Sequence, residues 1–295
     1  MTNIYWPVYK NIESELAKLT YDIHIDDNQI NVYSSKISDL ILRSAAEIES
    51  IAKELYKKNG GVKENNILFD KDCIKHLNQI WKLEDKVIII SSSSCFQSQK
   101  IIKPFIKKEK NFRNKLTYSW NNAYQNLKHN RYESLHFGSL KYLFDILAAL
   151  FILNLYFKEE VFEITQNSNV PENMGSEIFS IKVHKWRSYD AQGVYGKNED
   201  FDECIYLTKR TDESLKKMIE ATQAMFKEQQ EMFLKHPKTL EFVRSGKLKD
   251  YEGNNLMWDI LDENEYWNII NITSKKHILD SKDREMEGVL NKNCI

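Results

Sequence analysis

Residues 140–157 constrain the fold most, because they are apolar on nearly every side of a helix. Lys141, Asp145 and Asn154 are the exceptions. Eighteen mostly apolar residues almost suffice to span a bilayer. However, Lys141 and Asp145 would lie about 40° apart on a helix, on one polar edge. The segment therefore favours a central helix of a soluble bundle over a membrane span.

Glycine and proline are scarce, with 9 and 4 residues in a chain of 295. So few turn formers favour long helices with short connections over a many-stranded barrel or sandwich. Gly60 and Gly61 are the only adjacent glycines in the sequence. A Gly-rich phosphate loop of the dinucleotide or P-loop type is therefore not expected.

Residues 33–57 form the clearest amphipathic pattern. Their apolar side chains fall on one face at 100° per residue, and Ser34 or Ser35 can cap the start of the helix. Glu47 lies at the edge of the apolar stripe, where a carboxylate needs hydrogen-bond partners. We expect those partners to come from residues 126–131, the segment richest in donors.

The same pattern predicts a second long helical region over residues 117–158. After it, residues 166–175 are polar, residues 179–183 alternate as in a strand, and residues 204–207 form a second candidate strand. A charged helix follows over residues 211–235, with smaller helices near residues 239–245 and 262–272. The sequence thus predicts a mainly α fold: an N-terminal helical bundle (1–160) and a smaller C-terminal α+β module (161–295) of unknown role.

The net charge of the chain is −1, so its overall electrostatic potential does not attract nucleic acid. Residues 97–115, however, carry seven cations against Glu109 alone. This segment is either a solvated loop or a strip that follows phosphates.

Cysteine and histidine spacing predicts no metal site and no cofactor. The four cysteines form no CxxC pair, and no histidines stand as HxxxH or HExxH. Residues 1–9 lack a signal-peptide pattern. We expect a reduced, cytoplasmic protein.

Residues 120–137 gather polar groups immediately before the most apolar helix. Among them Arg131 and His136 stand as Arg-x4-His. Histidine can transfer protons near neutral pH, and arginine can hold a phosphate with its planar fork. Together they could support RNA cleavage without a metal, with the ribose 2′-hydroxyl attacking its own phosphate.

Helix geometry leaves two arrangements open for this motif. A spacing of five puts Arg131 and His136 about 140° apart on an unbroken helix, whereas His129 and His136 share a face. Either a helix begins near Arg131, or the functional pair is His129 with His136.

Arg-x4-His near the end of a helical bundle resembles the HEPN superfamily, which includes ribonuclease toxins and abortive-infection proteins. The resemblance covers residues 1–160. It implies a bundle of four to five helices, a homodimer with facing motifs, and metal-independent endoribonuclease activity in a bacterial defence or toxin system. The partners expected are RNA, a second copy and an antitoxin or defence-system protein, with no membrane.

Carried over to this chain, Arg131 and His136 take the catalytic positions, and Glu47 matches an acidic position on an early helix. Lys128, His129 and Asn130 are then expected to bind or orient the substrate. Two alternatives stay open. One is a catalytically silent HEPN-like protein that binds nucleotide or a partner. The other is a structural protein in which residues 128–136 form a buried polar network.

Overall fold

A computed structural model describes the chain except residues 1–2, 93–94, 186–188, 191, 281–283 and 294–295, and the side chains of residues 278–280. The described part is about 53% helical, with nine α-helices and a few small sheets. The predicted mainly α character with some β structure is confirmed.

Five α-helices precede residue 160, with a π-helical turn (Phe69–Cys73) leading into the third. They are α1 (Tyr5–Asp22), α2 (Ser35–Lys58), α3 (Ile74–Trp81), α4 (Ser119–His129) and α5 (Leu140–Lys158). Four follow: α6 (Asp212–Lys235), α7 (Pro237–Arg244), α8 (Leu256–Ile260) and α9 (Glu263–Asp280).

The described strands are short. They are β1 (Ile88–Ile90), β2 (Lys100–Ile102), β3 (Lys107–Lys110), β4 (Leu116–Tyr118), β5 (Phe162–Ile164), β6 (Phe179–Ile181), β7 (Val183–His184), β8 (Tyr206–Arg210) and β9 (Met286–Leu290). They form sheets in the orders β2-β1-β6, β3-β4 and β5-β9-β8-β7. β1 pairs antiparallel with both neighbours, whereas β7 and β8 run parallel.

The chain divides into two compact units that are interleaved in sequence. The first comprises residues 1–186, 197–208 and 288–295, and the second residues 187–196 and 209–287. Residue 160, where the sequence analysis divides the two predicted modules, thus lies inside the first unit. The physical reason is strand pairing, since β6 pairs with β1 of the N-terminal half.

Helix α5 is the centre of the first unit. It packs against α1, α2 and α4, and 83% of its most apolar 18-residue window is buried. Of the described helices, α5 is the one that is long and apolar enough to cross a membrane. It is mostly buried, however, as the core helix of a soluble protein is. A cytoplasmic location stays a prediction.

Helix α2 confirms the amphipathic pattern. Its apolar face is buried from Ile37 to Leu55, and the Ser34 hydroxyl accepts a hydrogen bond from the Ile37 amide at 3.1 Å. Of the two candidate caps, Ser34 is therefore the one used.

The predicted helical region 117–158 consists of two α-helices, because residues 130–139 separate α4 from α5. This connection is held by the segment before α2: the Ser34 amide donates to the Gly138 carbonyl, and the Leu140 amide donates to the Val32 carbonyl. A side chain at position 138 would overlap the Ser38 hydroxyl, so the close approach requires glycine there. No helix begins near Arg131, which lies in the connection.

The second unit is a small helical assembly. Helix α6 packs along α9, and α7 and α8 complete the set. Its core cluster contains Phe233, Leu261 and Ile269. The predicted helix over residues 211–235 is confirmed, with Thr211 as its cap.

Three cysteine thiols and one lysine side chain are buried in the first unit. Cys73, Cys95 and Cys204 are free and buried, whereas Cys294 lies outside the described residues. The Lys86 side chain is fully buried, and its ammonium donates to the carbonyls of Asp202 and Cys204 at 2.9 and 3.0 Å. Burial lowers the pKa of Lys86 to about 8.

We predict that Ser34→Ala lowers the free energy of unfolding by about 1 kcal/mol, because the mutant loses the N-cap of α2. Ser35→Ala is the matched control, since Ser35 is exposed at the first helical position. Its effect should stay within about 0.5 kcal/mol. Chemical denaturation of both variants measures the difference, and equal losses would contradict the cap assignment.

The buried Lys86 predicts a pH dependence of stability. Between about pH 8 and the ordinary lysine pKa of 10.5, the unfolded chain holds a proton that the folded chain has released. Stability rises with pH wherever the unfolded state binds more protons. The free energy of unfolding of the wild type minus that of Lys86→Met should therefore increase from pH 8 to 10. A constant or falling difference would show that the folded protein keeps Lys86 charged.

Candidate functional site

A cleft of about 480 Å³ lies in the first unit, where the β3–β4 hairpin faces α4 and the turn before α3. We call it the basic cleft. Its lining residues are Leu68, Asp70, Lys71, Lys107, Asn111, Phe112, Arg113, Lys115, Leu116, Thr117, Tyr118, Asn121, Asn122, Gln125 and His129. Two segments singled out in the sequence, the cationic strip and the polar stretch before α5, thus meet at one place.

Helix α4 provides the polar wall of the basic cleft. Asn121, Gln125 and His129 follow one another at intervals of four residues, so they lie on the same side of the helix. Asn121 is buried, whereas His129 at the end of the helix is exposed. This wall offers amide donors and acceptors along its length and one titratable ring at its edge.

The hairpin that forms the opposite wall is joined to α5 and α4 by Glu109. This carboxylate accepts from the Lys141 ammonium at 3.0 Å and from the Asn122 amide at 3.2 Å. Lys108 adds an ion pair with the buried Asp145 carboxylate at 3.2 Å. Burial raises the pKa of Asp145, and the Lys108 ammonium acts against that shift. These contacts fix the strands of the hairpin against the core.

The tip of the hairpin is locked by the Asn111 side chain. Its carbonyl oxygen accepts from the amides of Arg113 and Lys115 at 3.0 and 3.1 Å. The backbone adds bonds from the Asn114 amide to Asn111 and from the Asn111 amide to Lys115. These bonds order the backbone of the turn that carries Phe112 and Arg113.

Six of the seven cations of the strip divide into two groups; the seventh, Lys110, is exposed and does not line the cleft. Lys100, Lys103 and Lys108 form ion pairs with Asp27, Glu203 and Asp145. The cleft cations Lys107, Arg113 and Lys115, together with Lys71, form no ion pair with any residue that the structure describes. Asp70 is the single carboxylate on the cleft wall, which leaves the cleft a formal charge of +3. Unpaired cations around a cavity create a local positive potential that attracts anions.

Of the six site residues predicted from sequence, the structure places His129 on the basic cleft. Within the described chain, its ring forms no hydrogen bond. Lys128 points elsewhere and donates to the Tyr124 hydroxyl at 3.1 Å, which raises the pKa of Lys128. Asn130 donates to Glu133 in the connection after α4.

The Arg131 guanidinium is bound to the start of α2. It donates to the Asp39 carboxylate at 3.0 Å and to the Ser35 carbonyl at 3.4 Å. His136 is exposed, with its ring 4.4 Å from that of Phe137. Neither residue lines the basic cleft, and no hydrogen bond joins them in the described structure.

The expected contact between Glu47 and residues 126–131 is wrong. Glu47 is half-buried and forms no hydrogen bond or ion pair with a described residue. Arg131 does reach α2, but it binds Asp39, which lies two turns before Glu47 and away from the apolar stripe. Arg131 thus binds the N-terminal end of α2 instead of Glu47.

Sequence analysis alone missed Lys71, Phe112 and the amide wall of α4 as parts of one site. The i, i+4 spacing of Asn121, Gln125 and His129 was a usable signal for the wall. The position of Lys71 was not predictable, because it depends on the π-helical turn before α3. In the described residues, no three His, Cys, Asp or Glu side chains are grouped as metal ligands.

Comparison with known proteins identifies no relative: no protein-family model matches the chain, and no curated protein or solved structure matches it significantly.

We predict that Glu109→Gln loosens the hairpin, because the substitution removes the charge that pairs with Lys141. A half-buried pair of this kind is worth about 1 kcal/mol, so amide exchange of residues 107–118 should accelerate about fivefold. Glu133→Gln is the matched control, since Glu133 is exposed and bonds only to Asn130 among described residues. Hydrogen exchange measured by mass spectrometry that is equal in both variants would show that Glu109 does not hold the hairpin.

Proposed function

We propose that this protein binds RNA in the basic cleft and cuts it without a metal ion. RNA binding is supported by the four cations on the cleft wall, which form no ion pair with a described residue. Lys100, Lys103 and Lys108 of the strip, by contrast, bind carboxylates. Such a group of cations suits the backbone phosphates of RNA, because each contact with a phosphate releases counterions condensed on the RNA and so favours binding. The amides of α4 add uncharged donors and acceptors for sugar and base edges.

Cleavage is supported by His129 at the edge of the cleft. The His129 imidazole can take the proton from a ribose 2′-hydroxyl as its oxygen bonds to the adjacent phosphorus, while the departing 5′-oxygen takes a proton from water. The bond between phosphorus and the 5′-oxygen breaks. The products are a 2′,3′-cyclic phosphate and a 5′-hydroxyl end. Neighbouring cations would stabilise the charge on the phosphorane.

The resemblance to HEPN proteins supports a second placement of the chemistry, at Arg131 and His136. The ion pair of Arg131 with Asp39 is exposed, and exposed pairs contribute about 0–1 kcal/mol. A phosphate could therefore displace Asp39 at little cost. The same resemblance supports a HEPN-type bundle, a homodimer through the N-terminal half, and a role in a bacterial defence or toxin system with an antitoxin or defence partner.

The alternative is a catalytically silent protein that binds RNA or nucleotide in the same cleft. It is favoured by one observation: a single histidine lines the described wall, whereas acid–base cleavage by one copy would use two proton-transfer groups.

The cleavage experiment uses the full chain with total RNA and with DNA, in the presence of EDTA. We predict 2′,3′-cyclic phosphate ends from RNA and no cleavage of DNA, which lacks the attacking hydroxyl. His129→Ala should lower the rate roughly 10²–10⁴-fold, the usual value of general acid–base help, while His136→Ala keeps it. Loss in His136→Ala and Arg131→Ala but not in His129→Ala would place the chemistry at the Arg-x4-His motif. If the wild type cleaves RNA no faster than the His129→Ala/Arg131→Ala/His136→Ala variant, the cleavage proposal is wrong and the catalytically silent binding protein remains.

A further inference from the structure

Phe112 at the tip of the β3–β4 hairpin has no role in the core. Its side chain is 81% exposed, although large aromatic rings usually contribute to cores and interfaces. The ring nevertheless lines the basic cleft. An exposed aromatic ring on a cationic wall is the arrangement by which proteins stack unpaired bases.

Hydrogen bonds within the tip hold the backbone that carries this ring. The Asn111 carbonyl oxygen binds the amides that follow Phe112 on the turn. The Arg113 guanidinium lies 5.0 Å from the centre of the Phe112 ring, as in a cation–π contact. Because backbone and neighbour are already ordered, a base that stacks on the ring meets a surface that needs little further ordering.

The surrounding charges position a backbone next to that base. Lys115 lies in the turn just before β4, three residues after Phe112, and Lys107 lies at the start of β3, at the other end of the hairpin. Both line the basic cleft, and neither forms an ion pair with a described residue. A strand whose phosphates follow these ammonium groups would bring a base within reach of Phe112. In a duplex the base faces are covered by their neighbours, so the ring would find no partner.

We propose that Phe112 is a base-stacking platform that makes the basic cleft selective for single-stranded over double-stranded RNA. This inference rests on the proposed RNA binding and adds the strandedness of the ligand. It assigns the selectivity to one side chain that contributes nothing to the charge of the cleft.

The test measures fluorescence anisotropy with a 12-nucleotide single strand and a 12-base-pair duplex, both of 2′-O-methyl RNA, which lacks the attacking hydroxyl. Phe112→Ala should weaken single-strand binding about tenfold, since stacking of one base is commonly worth this much. Duplex binding should change less than twofold. Phe112→Trp should restore single-strand affinity, because indole also stacks.

Tyr21→Ala is the matched control, as Tyr21 is an exposed aromatic residue of the same unit that does not line the basic cleft. It should bind both ligands like the wild type. Single-strand affinity that is unchanged in Phe112→Ala, or reduced equally for the duplex, would overturn the stacking role. If Lys107→Gln/Lys115→Gln still weakened both ligands in that case, the proposed RNA binding would stand without it. If that variant also bound like the wild type, RNA binding in the cleft would be wrong as well.

Discussion

The basic cleft depends on two ion pairs, one between Lys141 and Glu109 and one between Lys108 and Asp145. Helix α5 is apolar almost throughout, and its two charged residues before the last turn, Lys141 and Asp145, both bind the β3–β4 hairpin. Placing a carboxylate beside a core costs free energy unless a cation compensates it. The Lys108 ammonium compensates the Asp145 carboxylate, and the same ion pair fixes Lys108 to the core. The polar edge of the most buried helix thus anchors the most cationic part of the chain.

Ion pairing also explains how a chain with a net charge of −1 can present a cationic site. In the strip, lysines that bind carboxylates serve the fold, as Lys103 does through Glu203. Lys107, Arg113 and Lys115, which form no ion pair with a described residue, lie on the cleft wall together with Lys71 from another segment. Attraction of an anion therefore depends on local arrangement rather than on total charge, and it should weaken with salt.

Sequence patterns predicted the helices that follow from local runs of apolar residues. They failed where contacts between residues distant in sequence determine the structure. The apolar period of α2 and the continuous apolar run of α5 are local properties, so both were predictable. The break after His129 was not, because it depends on backbone bonds to residues 32–34 and on the close approach of Gly138 to Ser38. For the same reason Arg131 binds Asp39 rather than Glu47. The cationic strip was recognised, but its division into paired and unpaired lysines requires the tertiary structure.

Equilibrium binding of single-stranded 2′-O-methyl RNA by two double variants tests the central claim most directly. Lys107→Gln/Lys115→Gln removes two unpaired cations of the cleft, and Lys100→Gln/Lys103→Gln removes two paired cations of the same strip, so the net charge changes equally. Each phosphate that the protein no longer neutralises should flatten the dependence of log affinity on log salt by about 0.7. We predict that the cleft variant binds far more weakly, with a slope flatter by about 1.4 for its two missing cations, whereas the other variant binds nearly like the wild type. Equal weakening in both variants would show that RNA responds to overall charge, and that the basic cleft is not its binding site.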